Sequence, residues 1–231
     1  MQLFILDTIE VKKDKIQINN NEELVYQLRK VLRIKPWYEC VFQCNNRRYE
    51  VIIDKLAGNE IQASVSNIIE WPKEEKETWM IISYPNKQEK LELIIQKLTE
   101  IWIKKIYLRK SERSVPSSLN ENKLKRFKKI MREASEQSWN RTLPELIHLN
   151  NIEDILKGWN LVVFDFKQIE WIEFKEKKDQ PYLWLIWPEW WLTDLDYSHF
   201  SKNIKIRGLW ESVLRMETAA IVWWWIIKNW L

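Results

Sequence analysis

The 231-residue sequence predicts an α/β protein in two parts: a small β-barrel over 1–70 and a parallel-sheet domain over 78–231, joined by a linker at 71–77. Three observations lead there. Residues 1–70 carry several short runs with strand alternation and a single helical stretch. The segment Glu70-Trp71-Pro72-Lys73-Glu74-Glu75-Lys76-Glu77 is polar and contains proline, as linkers do. From Thr78 onward, strands alternate with helices, the order that builds a parallel sheet.

Each element has its own signal. In the first part, 2–6, 15–18, 39–44, 48–54 and 60–69 have the alternation or β-branched content of strands. Ala57-Gly58-Asn59 supplies a turn between the last two. Leu24, Leu28 and Leu32 recur at helical spacing and predict a helix over 22–32. In the second part, 79–84 is a strand and 87–101 an amphipathic helix through Leu91, Ile94, Ile95 and Leu98. A strand at 105–109 precedes a long helix at 121–137, followed by strands at 160–165 and 182–187. Thr193-Asp194-Leu195-Asp196 has a capping-box pattern and opens another helix. A strand at 203–207 and a helix at 217–230 complete the order. The stretch 219–231 is strongly apolar but shorter than the roughly 18 residues of a membrane span, so a buried helix or a dimer face is expected.

Composition removes several function classes. A hydrophobic content of 45% supports a packed core and excludes wholesale disorder. No run is long enough to cross a bilayer as a helix. Residues 1–10 lack the basic region and small-residue cleavage site of a secretory leader, so a cytoplasmic location is expected. Two cysteines and two histidines exclude a disulfide scaffold and a zinc finger, and no metal is expected. Cys40 and Cys44 share a face of one strand and read as reduced core residues. His148 and His199 are isolated and read as surface or loop residues. There is no dinucleotide fingerprint, phosphate loop or nucleophile elbow.

Charge is uneven. Residues 1–70 balance 10 basic against 10 acidic side chains. Residues 104–132 carry 11 basic side chains against Glu112 and Glu121, an excess of nine. In the long helix, Leu124, Phe127, Ile130 and Met131 can face inward while Lys125, Lys128 and Lys129 face water. A solvated helix face is the ordinary reading of such a run. The size of the excess favours a phosphate-binding face for nucleic acid.

One pair of counts is abnormal: 16 Trp and 3 Gly. Ordinary glycine usage of about 7% corresponds to about 16 residues in a chain of this length. The tryptophans stand where glycine is needed. Leu185-Ile186-Trp187-Pro188-Glu189-Trp190-Trp191-Leu192-Thr193 joins a strand to a capped helix, and a tight turn that presents backbone to a ligand wants glycine. Leu209-Trp210-Glu211-Ser212-Val213-Leu214-Arg215-Met216-Glu217-Thr218-Ala219-Ala220 repeats the situation.

With Trp read as Gly, these loops become L-I-G-P-E-G-G-L-T and L-G-E-S-V-L-R-M-E-T-A-A. They resemble the two C-terminal loops of the RsmE family, which methylates N3 of a uridine in 16S rRNA and belongs to the SPOUT superfamily. The resemblance continues upstream. Lys90-Leu91-Glu92-Leu93-Ile94-Ile95-Gln96-Lys97 and then Thr99-Glu100-Ile101-Trp102 is similar to the family's helix ending in E-L-G. Ser111-Glu112-Arg113-Ser114 is similar to its S-E-R-S turn, and Glu133-Ala134-Ser135-Glu136-Gln137-Ser138-Trp139 to E-A-x-E-Q-S-G. Val31-Leu32-Arg33-Ile34-Lys35-Pro36-Trp37 is similar to V-L-R-x-K-P-G. At Trp37, Trp102, Trp139, Trp187, Trp190, Trp191 and Trp210 the family has glycine, so the gene is read here as using UGA for glycine.

The resemblance implies a PUA-like RNA-binding β-barrel at 1–70 and a SPOUT α/β methyltransferase domain at 78–231 with a deep trefoil knot, a topology rare among proteins. It implies S-adenosylmethionine as cofactor, 16S rRNA of the small subunit or its precursor as partner, and a homodimer. The cofactor-binding residues implied are Phe164 and Asp165; Leu185, Ile186, Trp187, Pro188, Glu189, Trp190 and Trp191; and Leu209, Trp210, Val213 and Leu214. Arg215 is the expected holder of negative charge on the base, with Glu189 or Glu217 as proton acceptor. For Glu217, a structural carboxylate at a helix start is an equal reading. Arg33, Arg113, Lys125, Lys128, Lys129, Gln137 and Arg141 are the expected RNA contacts. The chain departs from the family in three places. Asn140 separates Trp139 from Arg141, Gln27 stands where a histidine is common, and Phe166-Lys167-Gln168 lacks the usual Pro-Arg. A catalytically inactive RNA-binding relative with the same fold is the alternative.

Overall fold

The computed structural model describes the chain except residues 73–78, 113–119, 157–158, 165–181, 187–191, 201–203, 208–213 and 231. The chain divides into two compact units: Met1–Glu75 with Ser135–Thr142, and Lys76–Ala134 with Leu143–Leu231.

The first unit is built from β1 (Gln2–Ile5), β2 (Glu10–Lys12), β3 (Lys15–Asn19), α1 (Glu22–Tyr26), β4 (Glu39–Cys44), β5 (Arg47–Ala57) and β6 (Glu60–Glu70). The strands form one six-stranded sheet in the order β1-β4-β5-β6-β3-β2. Every pairing is antiparallel except β1 with β4. Register shifts in β5–β6 at Glu50/Val51 and Ile53/Lys55 bend the ladder. Alternation sets the inner face: Ile16 and Ile18, Val51 and Ile53, Ile61 and Ala63 are buried together with Phe4, Phe42, Leu24 and Leu28. Asn21 caps α1, its side chain accepting from the Leu24 amide at 3.0 Å.

The helix expected over 22–32 is α-helical only at its start. It widens into a π-helical turn at Gln27–Val31, in which Leu28 is fully buried and Val31 exposed. The strand β2 was not expected from sequence. All three of its residues are exposed, so it carries no inward signal, and it forms by pairing with β3.

The second unit contains β7 (Trp79–Ser83), α2 (Gln88–Glu100), β8 (Lys105–Arg109), α3 (Glu121–Ser138), β9 (Glu145–Leu149), α4 (Glu153–Leu156), β10 (Asn160–Phe164), β11 (Tyr182–Ile186), α5 (Asp194–Ser198), β12 (Ile204–Arg207) and α6 (Met216–Trp230). Its six strands lie in the order β12-β10-β11-β7-β8-β9 and are all parallel. Both faces are covered. Met80 and Ile82 of β7 join Leu91, Ile94, Phe127, Trp223 and Trp224 on one side. Ile81 joins Ile152, Leu156, Leu192 and Phe200 on the other. Double burial is why these strands read as apolar runs rather than alternations.

The apolar helix α6 is a buried helix along one face, with Trp223, Trp224 and Ile227 in the core and Trp225 55% exposed. The strand β9 and the one-turn α4 went unforeseen. β9 is a sheet-edge strand whose burial does not alternate, and α4 is too short to show a period. No described helix is long and apolar enough to cross a membrane. The expected trefoil knot depends on the path of 165–181, 187–191 and 208–213, and lies outside the described residues.

The end of α3 and the segment after it group with the first unit, whereas the sequence assigned them to the second domain. The reason is a set of barrel backbone and side-chain donors that satisfy this segment's polar groups. The Ile5 amide donates to Glu136 Oε1 at 2.9 Å. Gln43 Nε2 donates to the Arg141 carbonyl at 2.9 Å. Arg48, only 8% exposed, donates through Nη2 to the carbonyls of Trp139 at 2.7 Å and Asn140 at 3.0 Å.

Candidate functional site

The loops that the sequence assigns to a cofactor follow β10, β11 and β12. In the sheet these strands are neighbours, in the order β12-β10-β11. Their last residues stand in register: Phe164 beside Ile186 on one side and beside Arg207 on the other. Three loops distant in sequence therefore leave the sheet from one stretch of its carboxyl edge. That edge is where open parallel sheets bind ligands.

The strand ends sit in the core: Phe164, Leu185 and Ile186 are fully buried, Phe164 and Ile186 on one face of the sheet and Leu185 on the other. Phe164 stacks on Trp223 at 3.6 Å and on Trp184 at 5.6 Å between ring centroids. Leu214 is half-buried against the same cluster. Of the other residues assigned to the cofactor, Asp165, Trp187, Pro188, Glu189, Trp190, Trp191, Leu209, Trp210 and Val213 lie outside the described residues.

Two of the three catalytic candidates are described. Arg215 is exposed, and its carbonyl accepts the Ala219 amide at 2.8 Å to open α6. Glu217 lies in the first turn of α6, where the helix dipole favours a carboxylate. Its Oε2 is buried and has no hydrogen-bond partner among the described residues. An orphaned carboxylate oxygen is costly unless a ligand donor satisfies it.

The loop between β11 and α5 is anchored where it ends. Thr193 and Asp196 form a capping box, with the Thr193 hydroxyl accepting the Asp196 amide at 3.2 Å. Asp196 also pairs with Arg109 at 2.9 Å. Both side chains are almost wholly buried, at 2% and 7% exposure. Burial holds the Arg109 guanidinium below its ordinary pKa, although Asp196 opposes that shift. The capping box was legible in sequence. The Arg109 partnership was not, because 87 residues separate the pair and no local pattern joins them.

The expected RNA contacts divide between the units. Lys125, Lys128 and Lys129 lie exposed on α3, opposite buried Phe127 and Met131, in the second unit. Neighbouring Arg126 is committed to Glu92, with Nε–Oε1 at 2.5 Å. Gln137 is exposed, Arg141 is half-buried beneath the ring of Trp71 at 5.7 Å, and Arg33 is exposed; all three belong to the first unit. Arg113 lies outside the described residues. Cys40 and Cys44 are buried thiols, and burial pushes Cys40 up to about 12. No group of three metal-ligating side chains occurs among the described residues.

The backbone also speaks to the abnormal composition. Among the described tryptophans, only Trp37, Trp102 and Trp139 have positive φ, at 71°, 70° and 54°. All three are positions where the resemblance expects glycine. Trp102 follows the cap of α2: the Ile103 amide donates to the Leu98 carbonyl at 3.1 Å and the Trp102 amide to Thr99 at 3.0 Å. This is a Schellman ending, whose left-handed residue is usually glycine. Trp139 ends α3 the same way, with the Asn140 amide on the Ser135 carbonyl at 2.9 Å. Trp37 follows Pro36 in a turn, and a proline followed by positive φ is again a glycine pattern.

Comparison with known proteins agrees with this fold. Residues 72–228 match an RNA methyltransferase domain family. A ribosomal RNA small subunit methyltransferase E from Neisseria gonorrhoeae, solved bound to S-adenosylmethionine, is similar over 99% of this chain and 97% of its own, with 17% identity and a TM-score of 0.83. A methyltransferase from Legionella pneumophila, also with bound S-adenosylmethionine, shares 18% identity over 98% of this chain and 96% of its own, with a TM-score of 0.82. An rRNA methyltransferase structure from Porphyromonas gingivalis shares 21% identity over 100% and 98%, with a TM-score of 0.79. At these identities the likeness establishes the fold. No curated protein matches the chain.

Proposed function

The chain belongs to the RNA methyltransferase domain family, and from that premise we propose that it methylates N3 of a uridine in 16S rRNA with S-adenosylmethionine as methyl donor. The observation that carries the reading is the in-register alignment of the ends of β10, β11 and β12, which brings the three expected cofactor loops to one edge.

The residues present fit the cofactor. The buried Glu217 oxygen, without a partner among the described residues, suits a hydrogen-bond donor of the ligand, and half-buried Leu214 nearby in sequence offers an apolar contact. The cofactor, when bound, supplies a methyl group on a positively charged sulfonium. The remaining work falls to the protein. Uridine N3 is protonated at neutral pH, so Glu217 or Glu189 accepts its proton as the N–C bond forms. Arg215 holds the negative charge that develops on the base. Backbone and apolar groups of 185–191 and 209–214 would hold the cofactor. Lys125, Lys128 and Lys129 bind phosphates, with Arg33, Arg113, Gln137 and Arg141 extending the RNA surface. A homodimer belongs to the same reading.

The reading also holds that glycine is the working residue at Trp37, Trp102, Trp139, Trp187, Trp190, Trp191 and Trp210. Positive φ at the first three supports it. Bulky residues there cost about 1–2 kcal/mol each.

The test is direct. Peptides of the protein from its own cells are read by mass spectrometry at the seven positions. The chain with Trp and the chain with Gly are then compared for S-adenosylmethionine binding by calorimetry and for 3-methyluridine formation on small-subunit RNA. Binding and methylation by the glycine chain alone are expected. An all-glycine chain that binds RNA but no cofactor would establish the inactive RNA-binding relative instead.

A further inference from the structure

We propose that Asp196 is a positioning residue whose buried carboxylate ties the backbone at Glu112, after β8, to that at Thr193, before α5, and so sets the described ends of the segments expected to meet RNA and cofactor. The proposal rests on the functional reading above.

Asp196 is 2% exposed and accepts four hydrogen bonds from outside its own residue. Oδ1 accepts from Arg109 Nη2 at 2.9 Å and from the Glu112 amide at 3.2 Å. Oδ2 accepts from the Thr193 amide and from the Thr193 hydroxyl, both at 3.0 Å. Capping α5 requires only the Thr193 interactions. The other two come from β8 and the turn that follows it, more than 80 residues away in sequence.

Stability does not explain this arrangement. A buried ion pair is often matched by a well-packed apolar pair of the same volume. An apolar pair would hold β8 and α5 together, but it would accept no hydrogen bond from the Glu112 or Thr193 amide. What the carboxylate adds is placement of two backbone segments. Glu112 immediately precedes Arg113, an expected RNA contact, and Thr193 lies two residues after Trp191 of the cofactor loop. Arg109 orients the carboxylate through its Nη2 hydrogen bond. Its other terminal nitrogen, Nη1, is buried without a hydrogen-bond partner among the described residues, and the guanidinium lies 5.2 Å from the Phe200 ring.

The experiment uses the glycine-bearing full chain and the double variant Arg109→Met/Asp196→Leu, which removes the pair without burying a lone charge. The variant is expected to melt within a few degrees of its parent. S-adenosylmethionine affinity is expected to fall at least about tenfold and kcat about 10²-fold, the scale of a small misplacement of reacting groups. Hydrogen exchange at the Glu112 and Thr193 amides is expected to accelerate. A folded double variant with parental cofactor affinity and parental exchange overturns the proposal. If the double variant does not fold, Glu112→Pro deletes one of the tethered donors and leaves the pair intact. Slower turnover with an unchanged melting temperature then supports the proposal, and parental turnover overturns it. A parent that binds no cofactor defeats the functional reading, and exchange at the two amides then decides the tether by itself.

Discussion

The carboxyl end of α2 and the middle of α6 meet at one hydrogen bond, Trp224 Nε1 to the Ile101 carbonyl at 2.8 Å, yet tryptophan plays opposite parts in the two places. In α6, Trp223 and Trp224 are about 2% and 1% exposed and fill the core against Phe164 and α2. At the end of α2, Trp102 has a φ of 70° in a Schellman ending, where its side chain is an obstacle to the backbone rather than its purpose. The same residue type is a core anchor at helical φ and a strained cap at left-handed φ. Backbone conformation therefore separates tryptophans that the fold uses from tryptophans that it merely accommodates.

The comparison can be broken most strongly in α6. Trp223→Ala removes a buried indole stacked 3.6 Å from Phe164 and is expected to lower stability by about 3–5 kcal/mol in urea melts. A loss below about 1 kcal/mol would mean that this tryptophan, too, is only accommodated. The opposite sign is expected at Trp37, which is 76% exposed with φ 71°. Trp37→Gly relieves about 1–2 kcal/mol of left-handed strain, less the freedom that glycine gives the unfolded chain, for a net gain of about 1 kcal/mol. Destabilisation there would refute the distinction by φ. A helix start whose residue already suits its backbone gives a reference of known sign: Thr193→Ala, which deletes a capping box, is expected to cost about 1 kcal/mol. The smallest change in stability is expected on the basic face of α3. Replacing Lys125, Lys128 and Lys129 by alanine should shift stability by no more than about 0.5 kcal/mol per site. It should also reduce the salt slope of RNA binding by roughly 0.7–0.9 for each phosphate that is no longer neutralised. An unchanged slope would return that face to ordinary solvated surface.

Legibility followed the same physics. Strands of the first unit with one buried face were readable because alternation survives in the chain; β3, expected at 15–18, is Lys15–Asn19. The exposed β2 and the edge strand β9 were not, since neither carries an inward pattern. The helix 22–32 was misjudged in kind beyond Tyr26, because leucine spacing does not reveal a π-helical turn. In the candidate site, the loops after Phe164, Ile186 and Arg207 were assigned through glycine chemistry and resemblance, and they lie outside the described residues. The Arg109–Asp196 pair and the orphaned Glu217 oxygen were not legible, because burial and long-range pairing leave no local mark.

By itself, then, the sequence determined most of the strands and helices and the capped start of α5. These depend on periodicity and local backbone demands, which neighbouring residues carry. Tertiary structure alone decided that β10, β11 and β12 stand side by side, that Ser135–Thr142 groups with the barrel, and that Asp196 gathers hydrogen bonds from β8, its following turn and the α5 cap. Those facts depend on which distant segments exclude water together, and no window of sequence encodes that choice.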